Sequence, residues 1–127
     1  PSRLPSGRPA GPAGTAACAT TLERAMVAWQ REGDLEGAAE LFTRFIGECA
    51  AKGNEARVRA AQTNLGVVAV ALSRHAEADA ALRAALASAE REEVWKKRPA
   101  TVALIHWTRS DALLGLGRPL EAWGALQ

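Results

Sequence analysis

Few residues in this chain of 127 have side chains suited to catalysis or metal binding. His75 falls in a polar break between two apolar segments, and His106 stands beside Trp107 with no cysteine or carboxylate at the spacing of a metal site. Histidines in such places typically cap or pack helices. The sequence therefore predicts no metal centre.

The two cysteines, Cys18 and Cys49, lie far apart in the chain. Their spacing matches neither a zinc site nor a Cys-x-x-Cys redox motif. We expect two separate thiols, one in the N-terminal tail and one acting as a small buried apolar residue. A disulfide between them stays open as an alternative.

The acidic residues Glu90, Glu92 and Glu93 precede the basic run 96–98. This order is typical of a solvated helix end whose charges compensate each other, not of an acid–base pair. The sequence also lacks a glycine-rich phosphate loop and a Gly-x-Ser-x-Gly motif. We expect neither an enzyme nor a cofactor.

Charge and hydropathy argue against two classes of partner. The net charge of +2 is a mild excess spread over segments of mixed sign, which gives no electrostatic case for nucleic acid. The longest apolar run, 65–72, is much shorter than the roughly 18 residues of a membrane-spanning helix. We expect a soluble intracellular protein with no membrane-spanning segment.

The first 19 residues are rich in proline, glycine and arginine and contain no acid. Such a composition predicts a disordered or extended arm, because it cannot bury enough apolar surface to offset its chain entropy. It also fits the remnant of a transit peptide, which would place the protein in a plastid or mitochondrion. The remainder, 20–127, is then a single domain.

Apolar periodicity predicts helices throughout this domain. Thr20 and Glu23 have the spacing of a capping box, and apolar residues follow on one face. Gly53 ends the second predicted helix, and a fourth helix extends to Arg98. The six predicted helices begin near Thr20, Asp34, Asn54, Arg74, Pro99 and Pro119.

Three of the turns between these helices have similar sequences. The segments are GDLEGAAELF from Gly33, SRHAEADAAL from Ser73 and GRPLEAWGAL from Gly117, at offsets of 40 and 44 residues. A repeat of this length predicts an all-α fold, an α-solenoid of about three antiparallel helix pairs. Its many alanines would allow helices to approach closely.

The repeat resembles the tetratricopeptide repeat family over residues 20–127. Asn64, Leu65 and Gly66 resemble the Asn-Leu-Gly of that family's first helix, and Ala78 resembles its alanine at the start of the second. Ser73 occupies the position of its turn glycine. The period of 40 to 44 residues is similar to that of the extended subclass, whereas base-reading RNA-binding repeats keep a shorter period and a polar pair that is missing here.

The resemblance implies a non-catalytic adaptor, scaffold or assembly factor that binds a peptide or helix in a concave groove. A structural subunit embedded in a large complex is the alternative. The expected groove consists of residues on the first helix of each pair: Glu23, Val27, Gln30, Thr63, Asn64, Val67, Val70, Trp107, Asp111 and Leu114.

Three of these expectations concern single residues. Asn64 either bonds a partner or packs within the fold, and Trp107 either joins Val67 and Val70 in an apolar patch or faces inward. Gly66 is expected to lie close to a neighbouring helix pair, so that Gly66→Leu would overpack the junction while Gly66→Ala would be mild.

Overall fold

Seven α-helices contain most of the residues that the structure, a computed structural model, describes, namely 12–51 and 54–126. No strand occurs among these residues, so the predicted all-α class is confirmed for this part of the chain. In chain order the helices are α1 (Pro12–Gln30), α2 (Leu35–Cys49), α3 (Glu55–Ala71), α4 (His75–Arg91), α5 (Val94–Lys97), α6 (Pro99–Gly115) and α7 (Pro119–Ala125).

Two of the predicted helix caps are confirmed. The Asp34 carboxylate accepts a hydrogen bond of 2.9 Å from the Gly37 N–H at the start of α2. The Asn54 side chain accepts one of 2.8 Å from the Ala56 N–H at the start of α3. Each bond satisfies a donor that has no partner inside the helix. The predicted stop at Gly53 lies outside the described residues.

Helix α1 begins eight residues earlier than the capping box at Thr20 predicts. Pro12 suits the first turn of a helix, because that position needs no N–H donor. The predicted arm over 1–19 is therefore helical from Pro12 onward, and its first part, 1–11, lies outside the described residues.

The fourth helix is shorter than predicted. It ends at Arg91, and Glu93 has a left-handed backbone with a φ of 51°. This turn buries Val94 at the start of the short helix α5, which packs between α4 and α6. A basic run that was expected to close α4 therefore belongs to a separate element.

The same backbone conformation recurs at the three predicted turns. Gly33, Ser73 and Gly117 all have left-handed backbones, with φ values of 66°, 61° and 74°. Five residues later in each case a buried alanine donates its N–H to a carbonyl four residues before it, at 2.9 to 3.0 Å. These alanines are Ala38, Ala78 and Ala122.

The long helices pack mainly against their neighbours in the chain: α1 with α2, α2 with α3, α3 with α4, α4 with α6, and α6 with α7. The first part of the core surrounds Phe42 and Phe45 of α2. A second part joins Leu82 of α4 to Ile105 of α6.

Gly66 of α3 packs closely against Leu82 of α4. A Cβ atom at this position would lie 2.5 Å from both Cγ and Cδ2 of Leu82, which is fully buried. The close contact is therefore with the partner helix of its own pair, and the expectation of a contact with a neighbouring pair is wrong. An alanine does not fit here without movement of Leu82.

The two cysteines are joined by a disulfide, so the expectation of separate thiols is wrong. Cys18 of α1 and Cys49 at the end of α2 have Cα atoms 5.9 Å apart. Antiparallel packing of α1 and α2 brings them together although they are separated by 31 residues. A search for cysteine motifs of short spacing cannot identify two cysteines that are brought together by helix packing.

Candidate partner-binding surface

The ten residues expected to form a groove lie on α1, α3 and α6, and several of them line three separate clefts. We name these by their helices: the α1 cleft, the α3–α6 cleft and the α6–α7 cleft. The linings of these clefts do not include four of the ten, namely Val67, Val70, Asp111 and Leu114.

The structure brings the three expected residues of α1 together. Glu23, Val27 and Gln30 line the α1 cleft, which also reaches Arg57 at the start of α3. Val27 has 38% of its surface exposed, so an apolar side chain is available between polar neighbours. The α1 cleft can therefore contact a partner side chain that has both apolar and polar groups.

On α3, three of the four expected residues are used for packing. Thr63 is buried, and its hydroxyl donates a hydrogen bond of 2.9 Å to the Arg59 carbonyl. Val70 packs against a cluster of buried alanines at the junction of α3, α4 and α6. The Asn64 amide lies 3.4 Å from the Met26 sulfur of α1 and donates to it, so Asn64 connects the first two helix pairs.

The α3–α6 cleft, of about 490 Å³, contains basic residues that the sequence analysis did not include. Arg59 is held by the Glu92 carboxylate at 3.0 Å and by the Ser88 hydroxyl at 3.1 Å. Lys97 and Arg98 are exposed and form no ion pair among the described residues. The sequence analysis assigned Lys97 and Arg98 to a solvated helix end. The turn at Glu93 places them beside α3, and this turn has no signal in the sequence.

The three expected residues of α6 are exposed. Trp107 has 63% of its surface exposed, so the alternative in which it faces inward is wrong. It lines the α6–α7 cleft with Leu126 and other residues of α7, whereas Val67 and Val70 of the predicted patch are absent from that lining. Leu114 and Leu104 are also exposed on α6.

Ion pairs neutralise the charges nearest the α6–α7 cleft. Arg118 donates two hydrogen bonds of 2.5 Å to the Glu121 carboxylate. These bonds lower the pKa of Glu121 and raise the pKa of Arg118, because each charge stabilises the other. Asp79, a buried carboxylate below the cleft, is bonded to Arg109 and Arg83. The Asp79–Arg109 pair joins α4 to α6, whereas the other two pairs each lie within one helix and its cap.

Over the described part of the chain, no group of three histidine, cysteine or acidic residues is arranged to hold a metal ion. Nor is any helix there long and apolar enough to cross a membrane. Comparisons of the chain with protein-family models, with curated proteins and with solved structures returned no match.

Proposed function

We propose that this chain is a tetratricopeptide-like repeat module that binds a peptide or helix of a protein partner on the side formed by α1, α3 and α6. It would serve as an adaptor, scaffold or assembly factor. The observation that carries the proposal is the threefold recurrence of a left-handed turn followed by a buried alanine, at Gly33, Ser73 and Gly117.

The packing order supports a solenoid arrangement. Each long helix packs mainly on the helices before and after it, as in folds built by stacking helix pairs. In such folds the first helices of successive pairs lie side by side and form one continuous surface. Here these first helices are α1, α3 and α6.

The exposed side chains on this surface support binding to an apolar partner. Leu104, Trp107 and Leu114 are each more than half exposed on α6, and Val27 is exposed on α1. Exposed large apolar side chains are available to a partner, and tryptophan is enriched among residues that dominate binding energy.

The disulfide supports a different location from the one expected from the sequence. Cys18 and Cys49 are both buried, and disulfides persist in compartments that oxidise thiols. We therefore favour an oxidising compartment over a reducing cytosol.

Peptide selection followed by mapping tests the proposal. Peptides would be selected from a displayed library on the purified oxidised chain, and their contacts mapped by NMR shifts of backbone amides. We expect the shifted amides to lie on α1, α3 and α6. Trp107→Ala should weaken binding by about 2 kcal/mol or more with little change in melting temperature.

Trp95→Ala is the matched control, because Trp95 is similarly exposed but lies on α5 outside the three clefts. It should leave peptide affinity nearly unchanged. Selected peptides that bind Trp107→Ala as well as the parent and shift amides of α2 and α4 would contradict the proposal.

A further inference from the structure

Helix α5 belongs to none of the three helix pairs. The offset from Ser73 to Gly117 is 44 residues and that from Gly33 to Ser73 is 40, whereas α3 and α6 each contain 17 residues. The four additional residues therefore lie between Ser73 and Pro99, in the segment that contains α5. This segment places two consecutive basic residues in the α3–α6 cleft.

The α3–α6 cleft has an excess of two positive charges, because its lining includes one carboxylate, that of Glu92, and three cations, Arg59, Lys97 and Arg98. Glu92 accepts a hydrogen bond from the Nη1 atom of Arg59, which also donates to Ser88. Among the described residues, the Nε and Nη2 atoms of Arg59 have no partner. Lys97 and Arg98 are exposed, so their side chains are free to bind an anion beside Arg59.

Within the described part of the chain, the acidic residues leave Lys97 and Arg98 unpaired. The remaining segments, 1–11, 52–53 and 127, contain no aspartate or glutamate, so all 14 acidic residues of the chain lie in the described part. The adjacent Lys96, by contrast, binds the Glu93 carboxylate at 2.7 Å. The excess charge of the cleft is therefore open to a carboxylate of a partner.

An exposed apolar side chain lies in the same cleft. Leu104 of α6 lines it with 52% of its surface exposed. It follows Arg98 by six residues, which is about 9 Å along a helix axis at about 1.5 Å per residue. An extended residue spans about 3.3 Å, so a segment of a few residues reaches both side chains. A peptide that combines an acidic residue with a nearby apolar one matches this arrangement.

A nucleic acid fits the cleft less well than a peptide does. Single strands bind grooves in which cations follow the backbone and aromatic side chains stack on the bases. Among the described residues that line the α3–α6 cleft, none is aromatic and only two cations are unpaired. The cleft between α1 and α2 is bordered by four carboxylates and two guanidinium groups, a net negative charge that would repel a long polyanion.

We propose that the α3–α6 cleft selects acidic peptides, in which a carboxylate binds Lys97 and Arg98 and a neighbouring apolar side chain packs on Leu104. Ammonium and guanidinium groups donate charge-assisted hydrogen bonds to carboxylates, and these are stronger than bonds between neutral groups. The inference rests on the proposed peptide-binding function and specifies the class of peptide that this function recognises.

Selection from a random displayed peptide library tests this specificity. On the oxidised chain it should enrich peptides that contain aspartate or glutamate. The double variant Lys97→Gln, Arg98→Gln should lose this enrichment. The matched control is Arg91→Gln with Lys96→Gln. It removes the same net charge, but these two side chains lie outside the lining of the cleft and are already paired with acidic residues.

Fluorescence anisotropy with one selected peptide, labelled with fluorescein, measures the size of the effect. Lys97→Gln with Arg98→Gln should raise the dissociation constant about 10-fold or more, and the control by less than about twofold, because salt screens charges that make no direct contact. Replacing the acidic residues of the peptide with their amides should weaken binding to the parent by a similar factor. It should change binding to the double variant little, since both changes remove the same contact.

The outcomes separate this inference from the proposed function. Selected peptides that shift amides of α1, α3 and α6 but show no acidic enrichment would overturn the inference and leave the proposed function intact. A parent that selects no peptide would overturn both. The inference would also fail if the two double variants, with the helix content of the parent by circular dichroism, weakened binding equally. A single-stranded RNA that displaced the selected peptide at equal concentration would overturn the choice of a peptide.

Discussion

Asp79 of α4 and Arg109 of α6 form an ion pair of 2.9 Å, in which only 7% of the aspartate side chain is exposed. The second carboxylate oxygen of Asp79 accepts a hydrogen bond of 3.1 Å from Arg83, one turn along α4. This ion pair joins the second helix pair, α3 with α4, to the third, α6 with α7. The position equivalent to Asp79 in the first helix pair is Ala39. A charged contact therefore replaces an apolar one at this junction.

Arg109→Met should lower the free energy of unfolding by about 2 to 3 kcal/mol. This is less than the loss typical of a broken buried pair, because Arg83 still bonds to Asp79. Arg83→Met should cost less than about 1 kcal/mol, since its side chain is largely exposed. Urea denaturation of both variants checks this difference, and equal losses would show that Arg109 has no special role at the junction.

Gly66→Ala should destabilise the protein by about 1 to 3 kcal/mol, because the added methyl overlaps Leu82 in a closed part of the core. This reverses the expectation from helix propensity alone. Thermal melts check the loss. Gly47→Ala is the control: nothing lies within 4 Å of its Cβ position, so alanine should raise stability by up to about 1 kcal/mol. A Gly66→Ala variant as stable as the parent would contradict the close approach of α3 and α4.

Ser73→Gly should stabilise the protein by about 0.5 to 1 kcal/mol, because serine at a φ of 61° bears a strain that glycine avoids. Gly33→Ala, at the equivalent turn, should destabilise by a similar amount. Its Cβ position is open, so the cost comes from the backbone alone. Chemical denaturation of the two single variants measures whether each change raises or lowers the free energy of unfolding. A loss of stability in Ser73→Gly would contradict the left-handed turn.

Reduction of the disulfide should lower the free energy of unfolding by about 3 to 4 kcal/mol, given the separation of 31 residues. Melting curves with and without a thiol reductant measure this loss. A variant with both Cys18→Ala and Cys49→Ala is the control, because a reductant should not change its melting temperature. If the reductant lowered the melting temperatures of the parent and the variant equally, it would be acting on something other than this disulfide, and the prediction would be contradicted.

Turns and caps could be predicted from the sequence because they depend on residues close together in the chain. Gly33, Gly117, Asp34 and Asn54 act on backbone atoms within a few positions. Ser73 was assigned to the same turn by alignment of the three segments, and its φ is left-handed as in the other two.

Contacts between helices could not be predicted in the same way. The bond of Arg109 to Asp79 and the disulfide of Cys18 with Cys49 each join residues about 30 positions apart, and their geometry depends on how whole helices pack. The basic part of the α3–α6 cleft depends on the turn at Glu93, a residue type that rarely adopts a left-handed backbone. Local patterns contain no signal for such features.

The Cys18–Cys49 bond also limits how far the chain can stretch under mechanical force. If the oxidised protein is pulled by its two ends, the tension passes through the two sulfur atoms and bypasses the 31-residue separation between them. An extended residue spans about 3.3 to 3.6 Å, so about 100 Å of contour length stays hidden until the bond is reduced. The part of α1 after Cys18, the turn at Gly33 and α2 are thus shielded from the load.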